Sequence, residues 1–185
     1  TSLGGIWTSC SPDFGANGVV DRFGQVNPHI LITSNGYSYN GQNFKLEEKV
    51  NGVLEIIDSI NHIIEINYID IESNFNHNSI INFSDLLSNE GTIPMFVQLP
   101  FDHPLYIMYS SGTTGPPKSI VHGVGGTLIQ HMKEHQLHCD IQSGRDTMFW
   151  FTTCGWMMWN WLVSGLSSGS TIVLYDGSPS YPNHE

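Results

Sequence analysis

Positive charge is scarce in this chain: six Lys and Arg stand against 17 Asp and Glu among 185 residues, for a net charge of −11. A nucleic-acid backbone needs many cations to neutralise it, so the shortage argues against a nucleic-acid partner. An acidic domain can still hold a nucleotide through backbone N–H groups, hydroxyls, one or two placed cations and a divalent metal. Cysteine is scarce as well. Cys10, Cys139 and Cys154 form no C-x-x-C pair, which leaves neither a disulfide framework nor a zinc knuckle and fits core thiols in a reducing compartment. No apolar run is long enough to span a bilayer, so no membrane partner is expected. The chain opens on Thr1 rather than Met, with no signal-peptide pattern, and is expected to be a piece of a longer protein.

What is present is 39% hydrophobic residues, enough for a core in one domain. Gly5 to Ser9 reads as a strand, and Ser11-Pro12-Asp13 as a helix start running to about Gln25. His29 to Thr33 reads as the next strand, Asn35-Gly36 and Asn40-Gly41 as turns, Phe44 to Ile57 as an apolar-striped helix, and Ile63 to Tyr68 as a third strand. This alternation predicts an α/β fold in which βαβ crossovers build a largely parallel sheet with helices on its faces. Residues 75–98 are rich in Asn and Ser and predict an irregular connection with a short helix over Phe83 to Leu87. Helices are then expected over Gly125 to Cys139 and Gly155 to Leu166, and strands over Asp146 to Phe151 and Thr171 to Tyr175. No internal repeat or domain boundary is marked.

The chemistry concentrates in Tyr106 to Val121, YIMYSSGTTGPPKSIV. A short apolar strand leads into a loop where Ser110, Ser111, Thr113 and Thr114 offer hydroxyls and Gly112 and Gly115 let the backbone wrap an anion. Pro116 and Pro117 stiffen the exit, Lys118 adds a cation, and Ser119 to His122 returns as the second strand of a hairpin. A Walker A loop requires Gly directly before its Lys, so that a backbone N–H can cradle phosphate. Pro117 occupies that place and has no N–H, which excludes a P-loop NTPase but not another phosphate-holding geometry. A solvated hydroxyl-rich turn with no ligand is the bland alternative.

A second pattern belongs to another reaction class. His131-Met-Lys-Glu134-His135 matches H-x-x-E-H, in which two His at i and i+4 share a helix face and the Glu acts as base in zinc hydrolases. His138 lies at i+7 from His131. A catalytic zinc needs a further protein ligand, and the later acids are few: Asp140, Asp146, Asp176 and Glu185. The simpler reading is a solvated polar helix face.

SSGTTGPPK resembles the signature loop of the adenylate-forming superfamily of acyl-CoA synthetases, luciferases and peptide-synthetase adenylation domains. WTSCSPDFGANGVVDRFGQVNP, VHGVGGTLIQHMKEHQLH and TTCGWMMWNWLVSGLSSGSTIVLYDGSP resemble the acetoacetyl-CoA synthetase branch of that superfamily. The match is weakest over residues 47–98. The resemblance implies a layered αβα architecture, with residues 1–185 forming part of the large N-terminal, AMP-binding domain and the C-terminal domain absent. It implies small-molecule partners only, acetoacetate, ATP and coenzyme A, with Mg2+ beside the nucleotide. The carboxylate attacks the α-phosphorus to give an acyl-adenylate, and the coenzyme A thiol then displaces AMP. Carried over by position, Ser110, Ser111, Gly112, Thr113, Thr114 and Lys118 contact the ATP phosphates, Gly115 shapes the turn, and Trp156 and Met157 line the acyl pocket. The Ser9 to Asp13 turn lies along the coenzyme A path by the same analogy. The catalytic Lys of that family lies outside this chain, so these residues alone are not expected to complete the reaction. A cytosolic location, and acetate or propionate as alternative acids, follow from the same comparison, and oligomeric state is left open.

Overall fold

The sheet of residues 12–93 is built around β5 (His62–Ile66), which has a parallel neighbour on each side, Ile30–Ser34 (β2) and β6 (Ile80–Asn82). The computed structural model describes residues 1–87, 91, 93–110 and 115–183, which divide into two compact units, 1–11 with 94–175 and 12–93 with 176–185. The composition does not mark this division.

In the unit formed by 12–93 and 176–185, β2 pairs in parallel with β5 (His62–Ile66), and β5 in parallel with β6 (Ile80–Asn82). Leu31 and Ile63 are buried, as are Val50 and Val53 of α2 (Glu47–Leu54) and Ile57 in the turn after it. Helix α1 (Ala16–Phe23) lies against α2, and Gly52 makes this close: a Cβ there would sit 3.5 Å from the Ala16 Cβ. The helix begins at Ala16 behind Gly15, with no side-chain cap. The expected start at Ser11 fails because Ser11 is buried and residues 12–14 turn before the helix begins.

The stripe that begins at Phe44 is likewise shorter than its pattern. Gly36–Tyr39 (β3) and Gln42–Lys45 (β4) form an antiparallel hairpin in which Phe44 stacks on Tyr37 at 5.1 Å. The turn residues Asn40 and Gly41 have φ of 50° and 73°, the left-handed pair that a tight hairpin requires. Asn35, expected in a turn, is instead a buried junction between β2 and β3. Strand β6 and the four-residue helix α3 (Phe83–Leu86) lie in the stretch expected to be irregular, where only the short helix was foreseen.

In the unit formed by 1–11 and 94–175, Trp7–Thr8 (β1) runs parallel to Pro104–Tyr109 (β7), which turns back antiparallel into Ser119–Gly123 (β8). Helix α4 (Val124–Lys133) continues into a π-helical turn over Glu134–His138. Strands β9 (Thr147–Met148) and β10 (Thr171–Ile172) pair in parallel across α5 (Met157–Ser164), and Met148, Trp161 and Leu162 form the core there. Among the described residues, β1–β7, β2–β5, β5–β6 and β9–β10 pair in parallel and the two hairpins are antiparallel. The α/β class with a largely parallel sheet is therefore as expected.

Candidate functional site

The Gly-rich loop is the tip of the β7–β8 hairpin. The last ladder pair is Tyr109 with Ser119, and beyond it the Ser110 N–H donates to the Lys118 carbonyl at 3.0 Å. The Lys118 N–H donates to Ser110 Oγ, also at 3.0 Å. These two bonds close the base of the loop and bring Ser110 and Lys118 together across it, with the Lys118 side chain exposed. Ser111, Gly112, Thr113 and Thr114 lie outside the described residues. Gly115 is exposed, and a Cβ there would meet nothing within 4 Å.

Strand β1 braces this hairpin from the other side. Thr8 Oγ1 contacts the Ile107 carbonyl at 3.0 Å and the Tyr109 hydroxyl at 2.9 Å. One hydroxyl has one proton, so Thr8 donates to the carbonyl and accepts from Tyr109. Directly after β1, Ser9 Oγ donates to the Cys154 carbonyl at 2.5 Å and Cys154 Sγ donates to the Cys10 carbonyl at 3.1 Å. Gly155 packs on this strand end so closely that a Cβ would lie 3.1 Å from the Ser11 nitrogen. Ser9, Cys10 and Ser11 thus hold the 153–156 turn that presents Trp156 and Met157 at the start of α5. Both side chains are open to ligand, 66% and 46% exposed.

The loop follows the carboxyl end of β7, and the Trp156 turn is fastened at the carboxyl end of β1, its parallel neighbour. Crevices outside the carboxyl ends of parallel strands are where α/β sheets take ligands. The two segments that the sequence singled out therefore attach at the carboxyl ends of two adjacent parallel strands of one sheet.

The H-x-x-E-H helix is not a solvated face. His131 is 6% exposed and His135 fully buried, both turned to α5. His135 Nε2 donates to the Trp161 carbonyl at 3.1 Å, and its Nδ1 accepts from Ser168 Oγ at 3.3 Å. His131 Nδ1 meets Ser164 Oγ at 2.8 Å. Because the Ser164 hydroxyl also reaches the Trp161 carbonyl at 2.8 Å, its proton goes there and His131 Nδ1 is the donor. Burial lowers both imidazole pKa values and keeps the rings neutral. His138 is exposed, and among the described residues no group of three His, Cys, Asp or Glu could hold a metal ion. The zinc-hydrolase reading is corrected on these grounds: His135 has both nitrogens bound in a helix seam.

A family model described as AMP-binding enzyme matches residues 1–185. The chain belongs to the AMP-binding enzyme family. Among its relatives in that family, the acetoacetyl-coenzyme A synthetase of Rhizobium meliloti is 48% identical over 183 residues, covering 98% of this chain and 28% of that protein. A malonamoyl-CoA synthetase of Penicillium aethiopicum is 46% identical over 188 residues, covering 97% of this chain and 26% of that protein. The solved acetoacetyl-CoA synthetase from Streptomyces lividans superposes with a TM-score of 0.91 at 46% identity, over 98% of this chain and 27% of that one. The chain spans 28% of the length of the Rhizobium relative, and its AMP-binding family fold is that of the corresponding part of the solved structure.

Sequence reasoning missed two features of this AMP-binding fold. One is the brace of Ser9 and Cys10 on the Trp156 turn, for which no spacing rule exists across 144 residues. The other is Asn160, the single amide in the apolar run MMWNWLVS of α5. It is half-buried, and its Nδ2 reaches Met108 Sδ on β7 at 3.7 Å. A polar residue among Trp and Met was the available signal.

Proposed function

We propose that the full-length protein carrying this chain activates a short β-carbonyl acid, acetoacetate first, and joins it to coenzyme A. The observation that carries the reading is that this stretch is 48% identical to an acetoacetyl-coenzyme A synthetase over nearly its whole length. The juxtaposition of the Ser110–Lys118 loop base with the Trp156 turn supports it. The malonamoyl relative narrows the substrate class. Acetoacetyl and malonamoyl groups share a carbonyl on the carbon next but one to the thioester and differ by a methyl against an amide nitrogen of similar size. Acetate and propionate lack that oxygen.

In this reading a carboxylate oxygen attacks the α-phosphorus of ATP, the bond to pyrophosphate breaks, and an acyl-adenylate forms. The coenzyme A sulfur then attacks the acyl carbon, and the bond to AMP breaks. The obstacle in the first step is charge, because an anion approaches a polyanion. Ser110, Ser111, Gly112, Thr113, Thr114 and Lys118 would hold the departing pyrophosphate with preorganised donors. Trp156 and Met157 would form a wall against the acyl group. Among the described residues no group of His, Cys, Asp or Glu could hold magnesium.

The test is acetoacetate-dependent exchange of pyrophosphate into ATP by the full-length protein and its Lys118→Ala variant. Removing one donor from a charge-stabilising site costs about 100-fold or more in rate. Loss of that order is expected for Lys118→Ala, and unchanged exchange kinetics would overturn the role given to Lys118.

A further inference from the structure

We infer that Asn160 is the specificity-determining residue that reads the β-carbonyl oxygen of the acid. This rests on the reading above that the site takes β-carbonyl acids.

Asn160 sits at the fourth position of α5, one turn beyond Met157 and on the same face, since residues three apart on a helix are neighbours. The contact with Met108 fixes where that face points. Met108 lies on β7, two residues before Ser110 at the base of the loop. The amide is therefore bracketed by the exposed Trp156–Met157 wall on its own helix and by the strand that delivers the phosphate loop. An acyl chain entering beside Met157, with its carboxylate toward the loop, meets Asn160 beyond the carboxylate.

The chemistry of that position is unusual for a half-buried amide at a helix–strand contact. Asn160 carries two N–H donors and a carbonyl acceptor, yet the sole hydrogen-bond partner of the side chain among the described residues is the Met108 sulfur at 3.7 Å. A thioether is a weak acceptor. Exchanging it for a ketone or amide oxygen is favourable, and the exchange leaves behind only a sulfur that tolerates an apolar environment. A structural amide at a helix–strand contact would instead bond backbone or another side chain, as Asn35 does in this chain. A site with a polar group built to bond the substrate rejects the analogue that lacks the partner, because its own donor is then left unpaired. Asn160 would thus admit acetoacetate and disfavour butanoate, the same carbon skeleton without the oxygen.

The experiment measures kcat/KM for acetoacetate and for butanoate by pyrophosphate exchange in the full-length enzyme, its Asn160→Leu variant of similar size, and Asn160→Ser. The expected result is a wild-type preference for acetoacetate that falls by about 10-fold or more in Asn160→Leu, with butanoate turnover retained or raised. Asn160→Ser, which keeps a donor on a shorter arm, lies between. Butanoate turnover in the same preparations serves as the internal measure of a folded site. An equal loss for both acids in both variants, or a wild type that does not discriminate them, overturns the assignment. A wild type that activates neither acid overturns the proposed function itself, which is a separate outcome.

Discussion

Asn35 is 1% exposed, and its whole amide is committed to the backbone of residues 68–71. Nδ2 donates to the Ile69 and Ile71 carbonyls at 2.7 and 2.8 Å, and Oδ1 accepts from the Tyr68 and Ile69 N–H groups at 2.9 and 3.1 Å. The dipeptide Asn-Gly reads locally as a turn, and nothing in its spacing tells that the side chain will replace a strand partner for a segment more than 30 residues away. Such a residue is expensive to truncate, because four hydrogen bonds to the buried amide of Asn35 are lost together. Removing a partner from buried polar groups costs about 1–3 kcal/mol, which corresponds to roughly 30-fold in a local opening equilibrium near the middle of that range. Asn35→Ala in the full-length protein should therefore lower the hydrogen-exchange protection of the Tyr68 and Ile69 amides by about that factor. Unchanged protection at both would show that the loop is held by other contacts.

At the scale of elements, the helices after the loop and the hairpin that carries it were legible, as was the short helix α3, whereas β6 and the strand that takes the first residues of the Phe44 stripe were not. Helices α4 and α5 and the β7–β8 hairpin stand where their patterns put them. Strand β6 has three residues in an Asn- and Ser-rich stretch, too few to show a period. Hairpin β3–β4 was signalled by Asn40-Gly41, but the apolar residues at Phe44 and Leu46 fit a helical stripe as well as a strand, and stacking of Phe44 on Tyr37 decided for the strand. The α4–α5 seam shows the reverse, a helix correctly placed whose polar face was misjudged, since the imidazoles of His131 and His135 bond α5 and the short helix after it. That seam makes a pH prediction. Burial lowers both imidazole pKa values, the charges of His135 and His122 lower that of His131 further, and the shift is opposed by Glu134 at both rings and by the Trp161 hydrogen bond at His135. In the unfolded chain a histidine protonates near pH 6.5. Below that value the unfolded state binds protons that the native state refuses, so stability is level above it and falls as pH drops through it. Protection factors of α5 amides, corrected for intrinsic exchange, should decrease between about pH 7.5 and about 5.5, above the range where most carboxylates titrate. A His131→Gln, His135→Gln double variant should start lower and vary less over that interval. An equal slope in both proteins would remove the seam as the cause.

On the scale of the molecule, the candidate site was legible as two segments but not as a place. The motifs named the loop and the Trp156 turn. The clamp of Ser9 to Ser11 on Cys154 and Gly155 brings them to adjacent strand ends through side-chain to carbonyl bonds and one close backbone approach, contacts across 144 residues or more that no local spacing signals. Surface composition at the same scale points outward from the chain. Phe149, Trp150 and Phe151 beside β9, and Val173, Leu174 and Tyr175 beside β10, are all exposed, as are Met95, Phe96 and Phe101. Phe149 and Phe151 both pack on Tyr175, with ring centroids 6.5 and 6.0 Å apart, and large exposed apolar patches mark surfaces that something covers. The chain spans 27% of the solved relative's length, and in the function proposed above the remainder of the full-length protein would cover these faces. The 185 residues expressed alone should then bind an apolar dye such as ANS strongly and self-associate with concentration, while the full-length protein does neither at equal molarity. Sedimentation and dye titration on both would check this. A short chain that stays monomeric, folded and dye-silent would mean that these aromatic faces are its native outer surface, and the explanation from missing cover would fail.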